Sequence, residues 1–462
     1  MATEAERLNV RSIGDLEDLA NVILTSAKTV KSFLSENNIP PLSFSPGAPS
    51  SFPDCPQDVR QARNQLLDAS KKIHQLALGP IDHLFEYMCS HNVGNAFRWI
   101  CHFDVPSFVP VDGDISFSDL AAKTGANQEI TQRMLRYLMT SNIFHEPRPG
   151  FVAHTAGSKL MTVPGPRDLT YFSTLESTQW AASYVETFDK WGYSGEPNET
   201  AFNYTSGSPL PVYKAWDLDP VKGPRFARAM DGFQSSHAYH TEHMVAGWDW
   251  QSLPPGSTVV DIGGSRGTVS YAIAKAFPNP NFIVQDLPEI LSEAQGKVMV
   301  ETSLASRVEF LPHDFFTPQP VKNAEAYFLR MILHNYSDKY AVKMLHQLMP
   351  AMKKGPGGSK LLIADQIMQP MVGCTSWDST GDDTCSNRMP AGDETWMRFL
   401  DLQMLIMLNA KERELVDWEA LFEQASQGRQ EGRLKITGHK KPEGGVHSII
   451  VVELFPRAQG AE

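Results

Sequence analysis

The chain has 462 residues, 42% of them hydrophobic and 10% aromatic, with a formal net charge of −12. That length points to two domains of roughly 100–200 residues each, and the composition is that of a soluble globular protein. The acidic balance argues against a general binder of nucleic acid or anionic membrane.

The start, MATEAERLNV, has no basic segment followed by an apolar one, and nowhere do about 18 apolar residues run together. Neither secretion nor a membrane span is expected, and the protein reads as cytosolic. Cys55, Cys89, Cys101, Cys374 and Cys385 are scattered without CxxC spacing, which suggests reduced structural thiols and no zinc site.

Residues 1–38 read as an amphipathic helix, with Leu16, Leu19, Ala20, Ile23 and Leu24 at helical spacing. The proline-rich stretch IPPLSFSPGAPSSFPDCP then marks a linker or an ordered, extended crossing. The helical pattern resumes at Arg60, stops at Gly79-Pro80 and restarts in IDHLFEYMCSHNVGNAFRWICHF. Between Ile115 and Met161 the pattern is helix, Gly125 turn, longer helix and a short hairpin around Pro147–Gly150, which is winged-helix grammar. Such a helix-turn-helix can enter a DNA major groove. Its second helix, however, offers only Arg133 and Arg136, behind Gln128 and Glu129, so a structural or dimer-forming role is expected and nucleic acid is not.

From about Val245 the pattern changes to short apolar runs separated by helical segments: TVVDIG, NFIVQDL, VEFLPHD, AEAYFLRMILH, SKLLIADQI and VHSIIVVEL. These imply βαβ units and a parallel sheet. The expected architecture is α/β, with helical residues 1–235 ahead of a Rossmann-like domain at 236–462. Residues 369–394, polar and rich in Gly, Ser and Thr, read as a surface loop.

The first run ends in DIGGSRG, residues 261–267. Gly263, Gly264 and Gly267 do not fall in the G-x-G-x-x-G register of a dinucleotide site, and no Gly-Lys-Ser/Thr follows to hold phosphate. Asp261 would repel a diphosphate but attract an ammonium, directly or through water. S-adenosylmethionine carries an ammonium and a sulfonium. Asp286 and Asp314 end the next two runs, Asp286 at the distance where a carboxylate accepts from ribose hydroxyls, so three acids line the crevice of an open α/β sheet.

The segments VVDIGGSRGTVSYAIAKAFPNPNFIVQDLPEI, HDFF, RMILHNYSD, LLIADQ and MLNAKERE resemble the successive motifs of class I S-adenosylmethionine-dependent O-methyltransferases of the plant caffeate/flavonoid type, closest in style to fungal polyketide O-methyltransferases. The resemblance runs from about Ile115 to Leu454. It implies that Gly263 and its neighbours wrap the methionine part, that Asp286 with Leu287 holds the ribose, and that Asp314 with Phe315 flanks the adenine. Arg330 stands where the family often has a cofactor-contacting lysine. It also implies a homodimer built by the helical half.

His334 closes an apolar run at the crevice, and the resemblance makes it the general base for a phenol, whose pKa of about 10 leaves it a poor nucleophile at neutral pH. Asp365 and Glu412 match the family's two flanking acids. The first is glutamate in the family, and aspartate is one methylene shorter, so the resemblance does not fix a direct contact from Asp365 to His334. For the acceptor the family pattern points to Phe226, Met230, Phe233, Asn335, Met404, Met407, Leu408 and Asn409, although Met and Phe at helical spacing also read as core. No metal is expected, and the acceptor class is an aromatic polyketide such as an anthraquinone or benzophenone. A winged-helix ligand sensor, a nicotinamide oxidoreductase and an inactive methyltransferase homologue stand as alternatives.

Overall fold

The computed structural model describes residues 15–234, 237–294, 304, 306–370 and 391–457. The chain divides into two compact units, each discontinuous in sequence. One takes the described residues within Met1–Ala182, Pro220–Gly232 and Pro370–Phe399, the other those within Ser183–Asp219, Phe233–Gln369 and Leu400–Glu462. One crossing, at 232/233, lies beside the boundary expected at 235/236; the others were not foreseen.

In the first unit, helix Leu16–Glu36 begins where the Asp15 carboxylate accepts from the amides of Glu17 and Asp18. It buries Leu19 and Val22 with Ala69, and Val30 and Leu34 with Ala62, against helix Gln57–Cys89. That second helix breaks at Gly79, whose φ of +72° a side chain disfavours, just before Pro80. The proline-rich stretch between them is an ordered crossing, since the Ala156 amide donates to the Phe44 carbonyl at 2.9 Å. The first part of the expected N-terminal helix, residues 1–14, lies outside the described residues.

Strand β1 (Asp114–Ser116), helices Phe117–Thr124 and Gln128–Met139, and strand β2 (Phe151–Ala153) follow, with Gly125 turning between the helices at φ +69°. β2 pairs antiparallel with β1, and the hairpin expected around residues 147–150 shrinks to one bridge between His145 and Ala153. Arg136 is bound to Glu146 at 2.8 Å and Arg148 to Asp114 at 3.0 Å, so two of the basic side chains near this helix pair already face acids. Ile100, Phe117, Leu120, Leu135, Phe144 and Val152 form the core.

The second unit is organised by β3 (Thr258–Ile262), β4 (Asn281–Asp286), β5 (Val308–Pro312), β6 (Ala326–Arg330) and β7 (Lys360–Asp365). After them come the two-residue β8 (Ile367–Met368) and β9 (Arg413–Glu414), then β10 (Arg433–Lys440) and β11 (Ser448–Phe455). Seven of these make one sheet in the order β10-β11-β7-β6-β3-β4-β5. β5 through β7 run parallel, while β11 is antiparallel to both neighbours. Successive side chains point to opposite faces, and both faces are covered: Val260, Tyr327, Leu361 and Val452 pack with Trp418 and Phe422 on one, Val259, Phe328, Leu362 and Ile449 with Trp250 and Ile273 on the other. The chain leaves β3 to opposite sides, toward β4 and β6, and this reversal opens a crevice at the carboxyl ends of the strands.

Two expectations are corrected. The run AEAYFLRMILH is not strand to its end: β6 stops at Arg330, Met331 takes φ +54°, and His334 sits in a 3-10 turn, Leu333–Asn335. Residues 371–390 of the expected loop lie outside the described residues, but helix Ala391–Leu408 starts inside its other end.

Candidate active site

The glycine turn after β3 is shaped by close approach. Gly263 adopts φ +74° and Gly267 +69°, and the amides of Gly263 and Gly264 both donate to the Gln285 carbonyl of β4, at 2.8 and 3.1 Å. A Cβ on Gly264 would stand 2.6 Å from the Asp261 carboxyl carbon and 2.8 Å from Val284. Backbone without side chains therefore covers the end of β3, and helix Thr268–Ala276 starts directly from it.

Asp261 lies beneath this turn, buried, with its carboxylate accepting from the Ser270 hydroxyl at 2.5 Å. Burial pushes its pKa up to about 6, against the pull of Ser270 and of the Arg330 charge. Asp286, at the end of β4, accepts from the amides of Ser265 and Leu287 at 2.9 and 2.8 Å, and burial raises it as well. Asp314 is exposed after β5 and caps the Phe316 amide, while Phe315 packs edge-on against Tyr336 at 5.7 Å. Arg330 donates one Nη to the Tyr239 carbonyl at 3.0 Å, and its buried Nε has no hydrogen-bond partner among the described residues. Burial lowers its pKa. Carboxylates under and beside a bare glycine turn, with an unused buried donor nearby, fit a ligand that carries an ammonium and a ribose.

The closest contact among the expected catalytic residues joins His334 to Glu412. Nδ1–H donates to Oε1 at 2.8 Å, both side chains are buried, and in the neutral ring Nε2 carries the lone pair. Burial disfavours the imidazolium, but the charge and hydrogen bond of Glu412, helped by Asp365, outweigh it and push the His334 pKa up to about 9. Asp365 ends β7, wholly buried, and neither of its oxygens has a hydrogen-bond partner among the described residues. Burial raises its pKa to about 7. Its charge acts on the His334 ring, and the His334 backbone amide in turn lowers its pKa. The Glu412 amide is held by Asp401 at 2.9 Å.

Asn335 donates to the Met331 carbonyl at 2.9 Å, and Phe233 packs on Tyr239 at 4.5 Å. Met404, Met407 and Leu408 are buried at the end of their helix. Asn409, at φ +53°, gives its amide hydrogens to the carbonyls of Glu196 and Glu199 at 2.8 and 3.0 Å, so it fixes backbone in place. Phe226 and Met230 belong to helix Lys222–Gln234, on its part in the first unit, where Phe226 meets Phe172 edge-on at 5.2 Å. Sequence reasoning missed Arg413, Asp338 and Asp401, which support the dyad: in a run such as NAKERE, charge reads as solvated surface. Among the described residues no group of three or more His, Cys, Asp or Glu could hold a metal ion, and no helix is long and apolar enough to cross a membrane.

Comparison with known proteins identifies the family. The O-methyltransferase domain matches residues 192–427 and the O-methyltransferase dimerisation domain residues 85–164, while residues 13–78 match the N-terminal domain of the trypacidin cluster transcriptional coactivator tpcD. The chain is 35% identical over 451 residues to O-methyltransferase pgmB of Aspergillus terreus, spanning 96% of this chain and 97% of that one. It is 34% identical over 445 residues to O-methyltransferase VdtC of Byssochlamys spectabilis, spanning 95% and 97%. The structure of OxaC with sinefungin and meleagrin has the same fold, with a TM-score of 0.70 at 19% identity and 95% and 98% coverage. That of the mitomycin 7-O-methyltransferase MmcR matches with 0.60 at 23% identity and 84% and 98% coverage. The regulator and nicotinamide readings give way to membership of an enzyme family: the chain belongs to the S-adenosylmethionine-dependent O-methyltransferases.

Proposed function

We propose that the chain methylates a phenolic hydroxyl of an aromatic secondary metabolite, a polyketide of the anthraquinone or benzophenone kind, with His334 as general base. The observation that carries this is the buried 2.8 Å contact of His334 with Glu412 at the carboxyl edge of the sheet. When bound, S-adenosylmethionine supplies an electrophilic methyl group. The glycine turn 263–267 and Asp261 hold its ammonium end, Asp286 and Leu287 its ribose, and Asp314, Phe315 and Arg330 border the remainder. His334 Nε2 takes the phenolic proton, Glu412 orients the ring and stabilises the imidazolium, and Asp365 adds negative potential. Phe233, Met404, Met407 and Leu408 supply apolar surface for a flat ring.

Residues 1–235 serve as dimerisation and substrate-lid region in this reading. The end of helix Gln57–Cys89 leaves Ile81, Leu84, Phe85 and Met88 more than half exposed, apolar surface that a second copy would cover. Light scattering at micromolar concentration should give twice the 51.4 kDa chain mass, and a monomer would contradict it.

Calorimetry should show binding of S-adenosylmethionine and of its demethylated product, and none of NAD. Asp286→Ala should weaken binding by about 1.5–3 kcal/mol, the worth of a hydrogen bond to a charged group; undiminished affinity would overturn the ribose assignment.

His334→Gln should slow methyl transfer by about 10²–10⁴-fold with cofactor affinity unchanged. Because the free enzyme must present a neutral imidazole and Glu412 holds its pKa near about 9, kcat/KM should rise with pH and level off above that value. In Glu412→Gln burial, the largest influence on the ring, is opposed only by Asp365, so the rise should move down toward or below the ordinary value of about 6.5. The plateau should also fall, though by less than in His334→Gln. Full turnover of His334→Gln at pH 7 would remove the base assignment.

A further inference from the structure

We propose that Arg413 is a positioning residue for the His334–Glu412 pair, its guanidinium latching the turn that carries the histidine to the segment just ahead of β9 that carries the glutamate. The proposal rests on the reading of His334 as the base. Arg413 follows Glu412 directly and its side chain is wholly buried. Nη1 donates to the Leu333 carbonyl at 2.9 Å and Nη2 to the Tyr336 carbonyl at 2.9 Å, so the two contacts bracket His334 on both sides. The other edge of the fork holds Asp338 Oδ1, through Nε at 3.0 Å and Nη2 at 2.8 Å, at the first residue of the next helix. The face of the guanidinium lies 5.1 Å from the Trp418 ring centre.

A buried ion pair is weak ground for stability, because removing two charges from water offsets most of their attraction. What this one provides is geometry. A planar fork with five donors fixes three acceptors at once, which an ammonium on a flexible stem does not. The turn held is irregular, with Met331 at φ +54°. Arg413 adds a second donor to the Leu333 carbonyl, which already accepts from the Tyr336 amide at 3.2 Å, and supplies one to the Tyr336 carbonyl, and thereby sets how far His334 stands from the residue before Arg413 itself. Lys411 braces the anchor from outside, 3.2 Å from Asp338 and 3.3 Å from Asp417.

The charged and titratable groups acting on His334 are Glu412 and Arg413 around β9, Asp365 at the end of β7, and His447 just ahead of β11. Deleting the Arg413 charge would make the imidazole more basic, and letting Glu412 drift away would make it less so. Arg413→Lys keeps the charge and removes the fork, so it isolates position.

The test is a kinetic cycle of Arg413→Lys, Glu412→Gln and the double variant, with pH profiles and cofactor calorimetry. Arg413→Lys should bind cofactor as the wild type does, lose on the order of 10–100-fold in kcat, as misplacement of a catalytic group does, and show its kcat/KM rise at lower pH. Adding it to Glu412→Gln should cost little more, because the contact it positions is already gone. A wild-type rate and pH profile, or losses that multiply in the double variant, would overturn the latch. If Arg413→Lys does not fold, Asp338→Asn, at a half-exposed site, withdraws the anchor with the arginine retained and is read in the same cycle; an unmoved pH profile there overturns the proposal. Full activity of His334→Gln would remove the base reading itself, whereas a slow His334→Gln beside an unaffected Arg413→Lys removes the latch alone.

Discussion

A histidine and a glutamate held 2.8 Å apart out of water are the constraint on which the candidate site depends. Alone there, each would be pushed toward its neutral form, since burial disfavours an unpaired charge. Together they form a unit whose proton affinity is set by the protein. Burial pulls the imidazole down, Glu412 and Asp365 pull it up further, and the result of about 9 comes near the pKa of about 10 of a phenol. A base and an acid so matched exchange a proton with little cost, which suits proton removal concerted with methyl transfer.

The same crevice holds more acid than base. Asp261, Asp286 and Asp365 are all raised by burial, Asp261 to about 6 and Asp365 to about 7. Carboxyl groups raised by desolvation ionise more readily when a cation arrives, so the site is electrostatically prepared for a positively charged ligand and unsuited to a diphosphate. Arg330 moderates this field from the end of β6. Sheet topology brings these groups together: they stand after strands that are neighbours in space but separated by long stretches of chain. His313, by contrast, follows the edge strand β5, with β4 and β3 between it and β6.

Most strands legible in sequence were those buried on both faces, where continuous apolar runs leave no other reading, while β5 at the sheet edge was read from its apolar Val308, Phe310 and Leu311. β10 was missed because RLKITGHK lies at the sheet edge and carries Lys, Gly and His on largely exposed positions. The glycine turn and the acids at strand ends were legible because close backbone approach and charge each require particular residue types. His334 was read as the end of an apolar strand, and the turn that holds it was not foreseen, since Met331 gives no local sign of a positive φ. Arg413 was illegible for a deeper reason. Its burial depends on carbonyls of that turn and on Asp338, partners about 75–80 residues away in the chain that no periodicity reports.

The central claim is that Glu412 sets the protonation of His334. Nitrogen-15 NMR of histidine-labelled protein, with His334→Gln to assign the signal, measures this without any acceptor substrate. The account predicts that the His334 ring titrates near about 9, keeping its proton on Nδ1 when neutral. Titration at or below the ordinary histidine value of about 6.5 would contradict it.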